Sequence, residues 1–216
     1  MKLSTILRKA RSGELKSLST KDKTDVVVID FINTGLTALY SKFQLKTEEA
    51  IVTLSSGKTL YKLDGTDSDV NVSGLPIEAD TVLQIIEASD EVRTIGINDD
   101  DDEMGIFTPS YDSIQVPVAT NGTYISLIYK TNPVLVEFID VGDGTAEEAE
   151  IPLPAALEIQ LLHYVGYRAH GSVNGEIGAE NNTHLMRFES SCKEAARLGI
   201  VPTDTYSRDV TRKGFV

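Results

Sequence analysis

The side chains best suited to chemistry are three histidines and one cysteine. His163 and His170 are seven residues apart on one predicted helix, so they share a face, and His184 follows on the next. Three imidazoles could bind a metal ion, but no cysteine or carboxylate pair completes the set at the spacing of a zinc site. Cys192 falls on the apolar stripe of its predicted helix, which indicates a buried thiol and not a nucleophile. We therefore predict neither a metal site nor a catalytic cysteine.

Acidic residues form a second candidate site. Residues 99–103 are consecutive carboxylates, which could hold a divalent cation. Neighbouring carboxylates point in different directions and repel one another, whereas calcium loops alternate their ligands around a glycine. Asp64, Asp67 and Asp69 come nearer to ligand spacing but lack that glycine and a closing glutamate. We interpret the acidic run as a solvated hairpin tip. The alternative interpretation is that this segment binds a metal ion and that the protein is a small metal-dependent hydrolase or modifying enzyme.

A third candidate is Ser56-Gly57-Lys58-Thr59, which matches the end of a phosphate-binding loop. The complete motif has a glycine five residues before Gly57, where this chain has Val52, and it precedes a helix. The following residues, 60–63, have strand character instead, so a hairpin turn is predicted. No nucleophile elbow, dinucleotide fingerprint or zinc-protease pair is present. We expect a binding or structural protein without a cofactor, and no enzyme.

Charge divides the chain into three parts. Residues 1–50 have a net charge of +3, residues 51–150 of −16, and residues 151–216 of zero, within a total of −13. An acidic middle segment repels phosphate, so specific nucleic-acid binding is not expected there. The same segment could line a passage through which nucleic acid moves without sticking.

Apolar residues at intervals of three and four predict helices at both ends of the chain. These helices are expected at residues 3–10, 20–43, 154–171 and 179–198. Gly35 lies inside the second helix, where glycine costs about 1 kcal/mol against alanine, so we expect a close helix contact there. Gly13, Gly171 and Gly199 are the expected helix stops.

Short runs rich in β-branched residues lie between the helices and predict an antiparallel β module. These strands are expected at residues 50–54, 60–63, 82–86, 92–97, 113–118, 124–129 and 134–139. Residues 82–88 could form a short helix instead.

The predicted fold class is α+β, a helical bundle with an inserted antiparallel β module and an extended C-terminal arm. We expect the N-terminal helices at residues 1–48 and the acidic β module at residues 49–150. The C-terminal helical hairpin is expected at residues 151–199 and the arm at residues 200–216.

The sequence indicates no membrane or export signal. The longest apolar run, residues 26–29, is far shorter than the roughly 18 residues that a membrane helix needs. The N-terminus has no apolar core of signal-peptide length, so secretion is not indicated. The lone cysteine cannot form a disulfide within the chain and suits a reducing compartment.

The C-terminal helices resemble a known family in the order of their residues. That order is Leu153-Pro154, then Leu161-Leu162-His163-Tyr164-Val165-Gly166-Tyr167-Arg168, Glu180, Arg187-Phe188-Glu189, Cys192 and Ala195-Ala196-Arg197-Leu198-Gly199. Over about residues 150–200 the chain resembles the C-terminal hairpin of head-to-tail adaptor proteins of short-tailed bacteriophages, also called connector or head-completion proteins. Some members of that family have a β module between their helices.

The resemblance implies a structural virion protein that is assembled in the host cytoplasm. It implies a homo-oligomeric ring, usually of twelve copies, between the portal protein and the downstream tail or nozzle protein. Genomic DNA would pass through the lumen of the ring without specific binding. A closed ring fits head-to-tail interfaces whose rotation closes. A host-side regulatory or binding domain is a further possibility.

The resemblance also implies that the C-terminal arm reaches into the portal. Tyr206 and Phe215 would bury apolar area between portal subunits, and Arg208 and Arg212 could pair with carboxylates in forked geometry. Lys213 completes the expected portal-binding set. The alternative for the arm is an inert, frayed terminus.

Overall fold

The computed structural model describes residues 1–99, 101–103, 105–117, 123–137, 149–174 and 179–202. Over these residues the fold is α+β, with four α-helices and two antiparallel sheets, which confirms the predicted fold class. The chain divides into two compact units. Met1–Phe43 and Pro133–Val216 make the helical unit, and Gln44–Asn132 makes the β unit.

The helical unit contains the four helices, which are α1 Leu3–Ser12, α2 Asp25–Lys42, α3 Glu158–Asn174 and α4 Ala179–Arg197. Short 3₁₀ turns at Lys21–Lys23 and Ala155–Leu157 precede α2 and α3. α3 packs against each of the other three helices. Its residues Leu161, Val165 and Ala169 are fully buried at the centre of the unit. In the described part of the chain, no helix has the length and apolar character needed to cross a bilayer.

Two predicted helix ends are wrong. α3 continues through Gly171 to Asn174, because one glycine costs a helix only about 1 kcal/mol and the preceding residue, His170, is buried and bonded to the backbone of Glu14. α2 begins at Asp25, five residues later than predicted. Thr24 is extended, with φ −65° and ψ 157°, and it separates the 3₁₀ turn from the helix.

The described residues of the β unit form nine short strands. They are β1 Thr47–Thr53, β2 Leu60–Lys62, β3 Val70–Val72, β4 Leu75–Pro76, β5 Val82–Ser89, β6 Thr94–Ile95, β7 Phe107–Ser110, β8 Ser113–Gln115 and β9 Tyr124–Thr131. The larger sheet has the order β4-β3-β1-β9-β5-β6, and the smaller sheet the order β2-β8-β7. Ala50 and Val52 of β1 are buried, while Glu49 and Ile51 are not. This alternation places one face of the larger sheet on the core of the unit.

Several strand predictions need correction. Residues 82–88 form a strand and no helix, because they pair with β9 along their length. The strand predicted at residues 92–97 shrinks to β6, and β3, β4 and β7 were not predicted. Residues 134–137 form no strand, because Asn33 of α2 binds their backbone: its Nδ2 donates to Val136 O at 2.9 Å, and Val136 N donates to its Oδ1 at 2.8 Å. Residues 138 and 139 lie outside the described residues.

Candidate interaction surfaces

The five residues predicted to bind a portal lie outside the described residues; they are Tyr206, Arg208, Arg212, Lys213 and Phe215. The structure describes the predicted arm as far as Pro202. The helix stop in front of it is confirmed. Gly199 has φ +64°, its N–H donates to Ala196 O, and Ile200 N–H donates to Ala195 O, both at 3.1 Å. This bonding is a Schellman motif, which satisfies the last helical carbonyls and ends α4.

The first residues of the arm differ in burial. Val201 is only 7% exposed, whereas Leu198 and Ile200 are exposed apolar side chains. Val201 is therefore a buried apolar residue at the start of the predicted arm. The exposed pair beside it offers apolar contact area at the point where the arm leaves α4.

Further exposed apolar residues lie on the helical unit. Met186 of α4 is 71% exposed and Ile159 of α3 is 59% exposed. Val134 and Leu135, directly after the β unit, are also exposed. The spacing of apolar residues along the sequence does not distinguish these exposed positions from buried core positions. Scattered exposed apolar residues are common on the surfaces of monomeric proteins. These four residues could contribute to an interface, but their exposure does not identify a partner.

An open groove of about 650 Å³ runs along α1, and sequence reasoning missed it. It is lined by Ser4, Thr5, Leu7, Arg8, Arg11 and Ser12. The Arg11 guanidinium binds Asp25 and donates from Nε to Lys23 O at 3.2 Å. Arg8 is exposed in the same groove. The lining thus combines hydroxyl groups with guanidinium donors, which suits carboxylate or phosphate groups.

The β unit concentrates negative charge, with 16 Asp and Glu against 5 Lys and Arg. Several of these carboxylates accept hydrogen bonds from groups in turns of the β unit. Asp102 accepts both ends of the Arg93 guanidinium, at 3.0 and 3.1 Å, and the Gly96 N–H at 2.9 Å. Asp90 accepts the N–H groups of Val92 and Arg93, and these bonds lower the pKa of its carboxyl group.

The acidic run at residues 99–103 lies in the loop between β6 and β7, which belong to different sheets. The predicted hairpin is therefore wrong, because β6 pairs with β5 and β7 pairs with β8. Asp99, Asp101 and Glu103 are exposed, so these carboxylates are solvated, as the sequence indicated.

Lys58 of the phosphate-loop-like turn binds carboxylates of its own unit. Its Nζ lies 2.5 Å from Asp67 Oδ1 and 2.7 Å from Asp69 Oδ2. Burial opposes the charge on the Asp67 carboxyl group, but the hydrogen bonds from Lys58 and from backbone N–H groups prevail and lower its pKa. The Lys58 ammonium also stacks on the buried ring of Tyr61, 4.7 Å from its centre.

The turn itself is present, but the predicted hairpin around it is wrong. Lys58 N–H donates to Ser55 O at 3.1 Å, and Gly57 has φ +80°. β1 before the turn pairs with β3 and β9, and β2 after it pairs with β8. Both edges of β1 are occupied, so β2 joins the smaller sheet.

The histidines gather around Glu14 in the helical unit. His184 Nδ1 is 2.9 Å from Glu14 Oε2, and His170 Nε2 is 3.0 Å from Glu14 O. The His170 and His184 rings stack with centres 4.8 Å apart. Among the described residues, no group of three or more His, Cys, Asp or Glu side chains is arranged to hold a metal ion. Sequence reasoning did not link Glu14 to these histidines.

Cys192 is buried on α4, as predicted. Burial raises the pKa of its thiol to about 11. The group is therefore protonated at neutral pH, which does not favour nucleophilic chemistry.

A scan against known protein families and a search of curated proteins find no match to this chain.

Proposed function

We propose that the protein is a head-to-tail adaptor, a structural component of a bacteriophage virion that forms a ring between the portal and the tail. The observation that supports this best is the order of the parts. A strongly acidic β unit is inserted between a pair of N-terminal helices and a C-terminal helical hairpin, which is the arrangement of the family that the C-terminal helices resemble.

The residues of that resemblance support the proposal through their packing. Leu161, Val165, Phe188, Cys192 and Ala195 are buried in the helical unit. Their pattern thus belongs to the contacts that hold α3 and α4 together. The exposed residues of the same helices, including Ile159 and Met186, are left to contact neighbouring copies in the ring.

The acidic β unit is proposed to face the DNA channel. Its net charge of −11 repels phosphate, so DNA meets no counterion-releasing contacts and slides. The simpler role for the same charge is solubility. Replacing Asp99 and Asp101 by Asn and Glu103 by Gln separates the two. A channel role predicts that the assembled ring then retards DNA more strongly than the parent ring at low salt.

The C-terminal arm is proposed to dock on the portal through Tyr206, Arg208, Arg212, Lys213 and Phe215. The Schellman motif at Gly199 ends α4 directly before the arm. An extended arm that inserts aromatic side chains between two partner subunits gains apolar burial, while arginine forks bind carboxylates.

Coexpression with the portal protein of the same genome, followed by electron microscopy, tests the proposal. The expected result is a ring of this chain on one end of the portal, with twelve copies. A chain truncated after Tyr206 should stay folded, by circular dichroism, yet fail to dock. Asp209→Asn provides the matched control within the arm and should dock normally. Full docking of the truncated chain would contradict the arm's role, and absence of any portal complex would contradict the function.

The alternative, a metal-dependent enzyme of the acidic segment, has no comparable support. Asp67 and Asp69, at the spacing nearest to a ligand set, bind the Lys58 ammonium. A divalent ion whose stabilisation of the protein rises with the logarithm of its concentration, once that concentration exceeds Kd, would favour this alternative.

A further inference from the structure

The helical unit begins with a positively charged segment. Residues 1–24, which contain α1 and the linker that follows it, have seven Lys and Arg against two Asp and Glu. Their net charge is +5, which leaves −18 for residues 25–216 within the total of −13. A strongly acidic chain therefore has one segment of the opposite sign, and this segment attracts acidic groups of a partner at close range.

The linker is held against α1, which brings its cations beside those of the helix. Leu15 of the linker is fully buried. Arg11 Nε donates to Lys23 O at 3.2 Å, and Lys23 Nζ lies 3.5 Å from both Leu15 O and Lys16 O. Arg8 lines the same groove as Arg11. These contacts make one basic surface, which consists of Arg8, Arg11, Lys16, Lys21 and Lys23.

Three cations of the basic surface are open to a partner. Arg8, Lys16 and Lys21 are exposed, and none of them has an ion-pair partner among the described residues. Asp25, at the start of α2, binds Arg11 instead. Exposed guanidinium and ammonium groups on a shared surface suit several carboxylates or phosphates of one partner.

The composition of the basic surface favours an acidic protein over a nucleic acid. Residues 1–24 have no Phe, Tyr or Trp, and these are the side chains on which unpaired bases stack. The chain itself supplies an acidic protein surface, since the β unit has a net charge of −11. A second copy of the chain therefore has the complementary charge.

The β unit has exposed carboxylates that are available for such a contact. Glu78, Glu87 and Glu91 are exposed and have no ion-pair partner among the described residues. All three lie outside the loop at residues 99–103. A contact through them leaves that loop to face the DNA channel.

The separation of charge restricts how two copies can meet. A contact that uses the basic surface of both copies, or the β unit of both copies, places like charges against each other. Attraction arises where the basic surface of one copy meets the β unit of another. Repeated from copy to copy, this heterologous contact forms a ring if its rotation closes.

We propose that the basic surface of one copy binds the β unit of the next copy, so that the copies join head to tail. The inference rests on the proposed function, because this is the contact by which neighbours in the ring would meet. The residues assigned to it are Arg8, Lys16 and Lys21 on one copy and Glu78, Glu87 and Glu91 on the other. Exposed ion pairs are individually weak and are screened by salt, so the contact depends on several pairs together.

Sedimentation velocity of the full chain at low salt and at high salt tests the contact. The expected result is association beyond the dimer at low salt. The association constant should fall at least about tenfold at about 0.5 M salt, where charges are screened over about 4 Å. A chain that stays monomeric at low salt, or that stops at a dimer, would overturn the proposal. This measurement needs no variant, so it covers the case in which a variant fails to fold.

Two neutralised variants separate the two surfaces. The first combines Arg8→Gln, Lys16→Gln and Lys21→Gln, and the second combines Glu78→Gln, Glu87→Gln and Glu91→Gln. Each variant alone should associate at least about tenfold more weakly than the parent. An equimolar mixture should form one-to-one pairs that do not grow, because each variant supplies the surface that the other lacks. A mixture that associates no better than its components would contradict the proposal.

A matched control changes the net charge equally at other exposed lysines. It combines Lys42→Gln, Lys62→Gln and Lys193→Gln. This control should associate like the parent, and circular dichroism should show all the variants folded. Equal weakening in the control and in the first variant would assign the effect to total charge and overturn the contact.

Duplex DNA is the probe for the other class of partner. A parent chain that binds DNA through the basic surface and does not associate with itself would overturn the proposal in favour of a nucleic acid. Portal docking separates this inference from the proposed function. A ring of the first variant on the portal would contradict the contact and leave the proposed function intact. A parent that self-associates as expected but forms no portal complex would support the contact and contradict the function.

Discussion

Gly35 of α2 and Leu161 of α3 are in direct contact: a Cβ at position 35 would lie 2.8 Å from Leu161 Cδ1 and 3.2 Å from Tyr164 Cδ1. The helix contact expected at Gly35 is thereby confirmed. The glycine stays despite its cost to the helix because any larger side chain would displace the core of α3.

Gly35→Val should lower the free energy of unfolding by about 2 kcal/mol, because overpacking a filled core costs roughly 1–3 kcal/mol. Urea unfolding followed by circular dichroism at 222 nm measures this change. Thr34→Val on the same helix is the matched control, since Thr34 is exposed, and it should unfold within about 0.5 kcal/mol of the parent. Equal stability of the two variants would show that α2 and α3 do not meet at Gly35.

Leu161→Asp should destabilise the helical unit by several kcal/mol, since Leu161 is 0% exposed and a buried charge without a partner is strongly unfavourable. Ile159→Asp provides the control on the same helix, because Ile159 is 59% exposed. Thermal melts of the two variants should differ clearly. If Leu161→Asp melts like the parent, the assigned face of α3 is incorrect.

Lys58→Met should destabilise the β unit by about 2 kcal/mol at pH 7, because it leaves the nearly buried Asp67 carboxylate without its main partner. The Asp67 pKa is lowered in the folded protein, so this pair stabilises the fold above the ordinary aspartate pKa of about 3.9, and the contribution is lost as the pH falls below it. The difference in unfolding free energy between parent and variant should therefore shrink by pH 3.

Urea unfolding at pH 7 and pH 3 measures this difference, and Lys62→Met, at an exposed lysine, is the control. A difference that persists at pH 3 would assign the effect to packing on Tyr61.

The Cys192 thiol should react slowly with Ellman's reagent in the native protein. A thiol pKa of about 11, two units above the ordinary value, leaves about a hundredfold less thiolate, and burial restricts access further. The rate at pH 8 should rise at least about a hundredfold in urea. Equal rates in native and unfolded protein would mean that the residue is accessible.

The sequence by itself determined the features that depend on neighbouring residues. Apolar spacing located the four helices, and the combination of Gly199 with Pro202 marked the end of α4, because helix periodicity and left-handed glycine are local properties. The burial of Cys192 followed from its place on the stripe. The acidity of the middle segment is a count of side chains and needed no structure.

Tertiary structure decided the features that depend on residues far apart in the chain. Residues 82–88 form a strand because they pair with β9. The sequence alone did not decide this, since apolar runs of that length are compatible with both a helix and a strand. Two-residue strands such as β4 exist only through their partners. The hydrogen bonds from Lys58 to Asp67 and Asp69 form because the fold brings their two loops into contact. Glu14 met His170 and His184 because folding places residues separated by more than 150 positions within hydrogen-bond distance, and no local pattern contains that information.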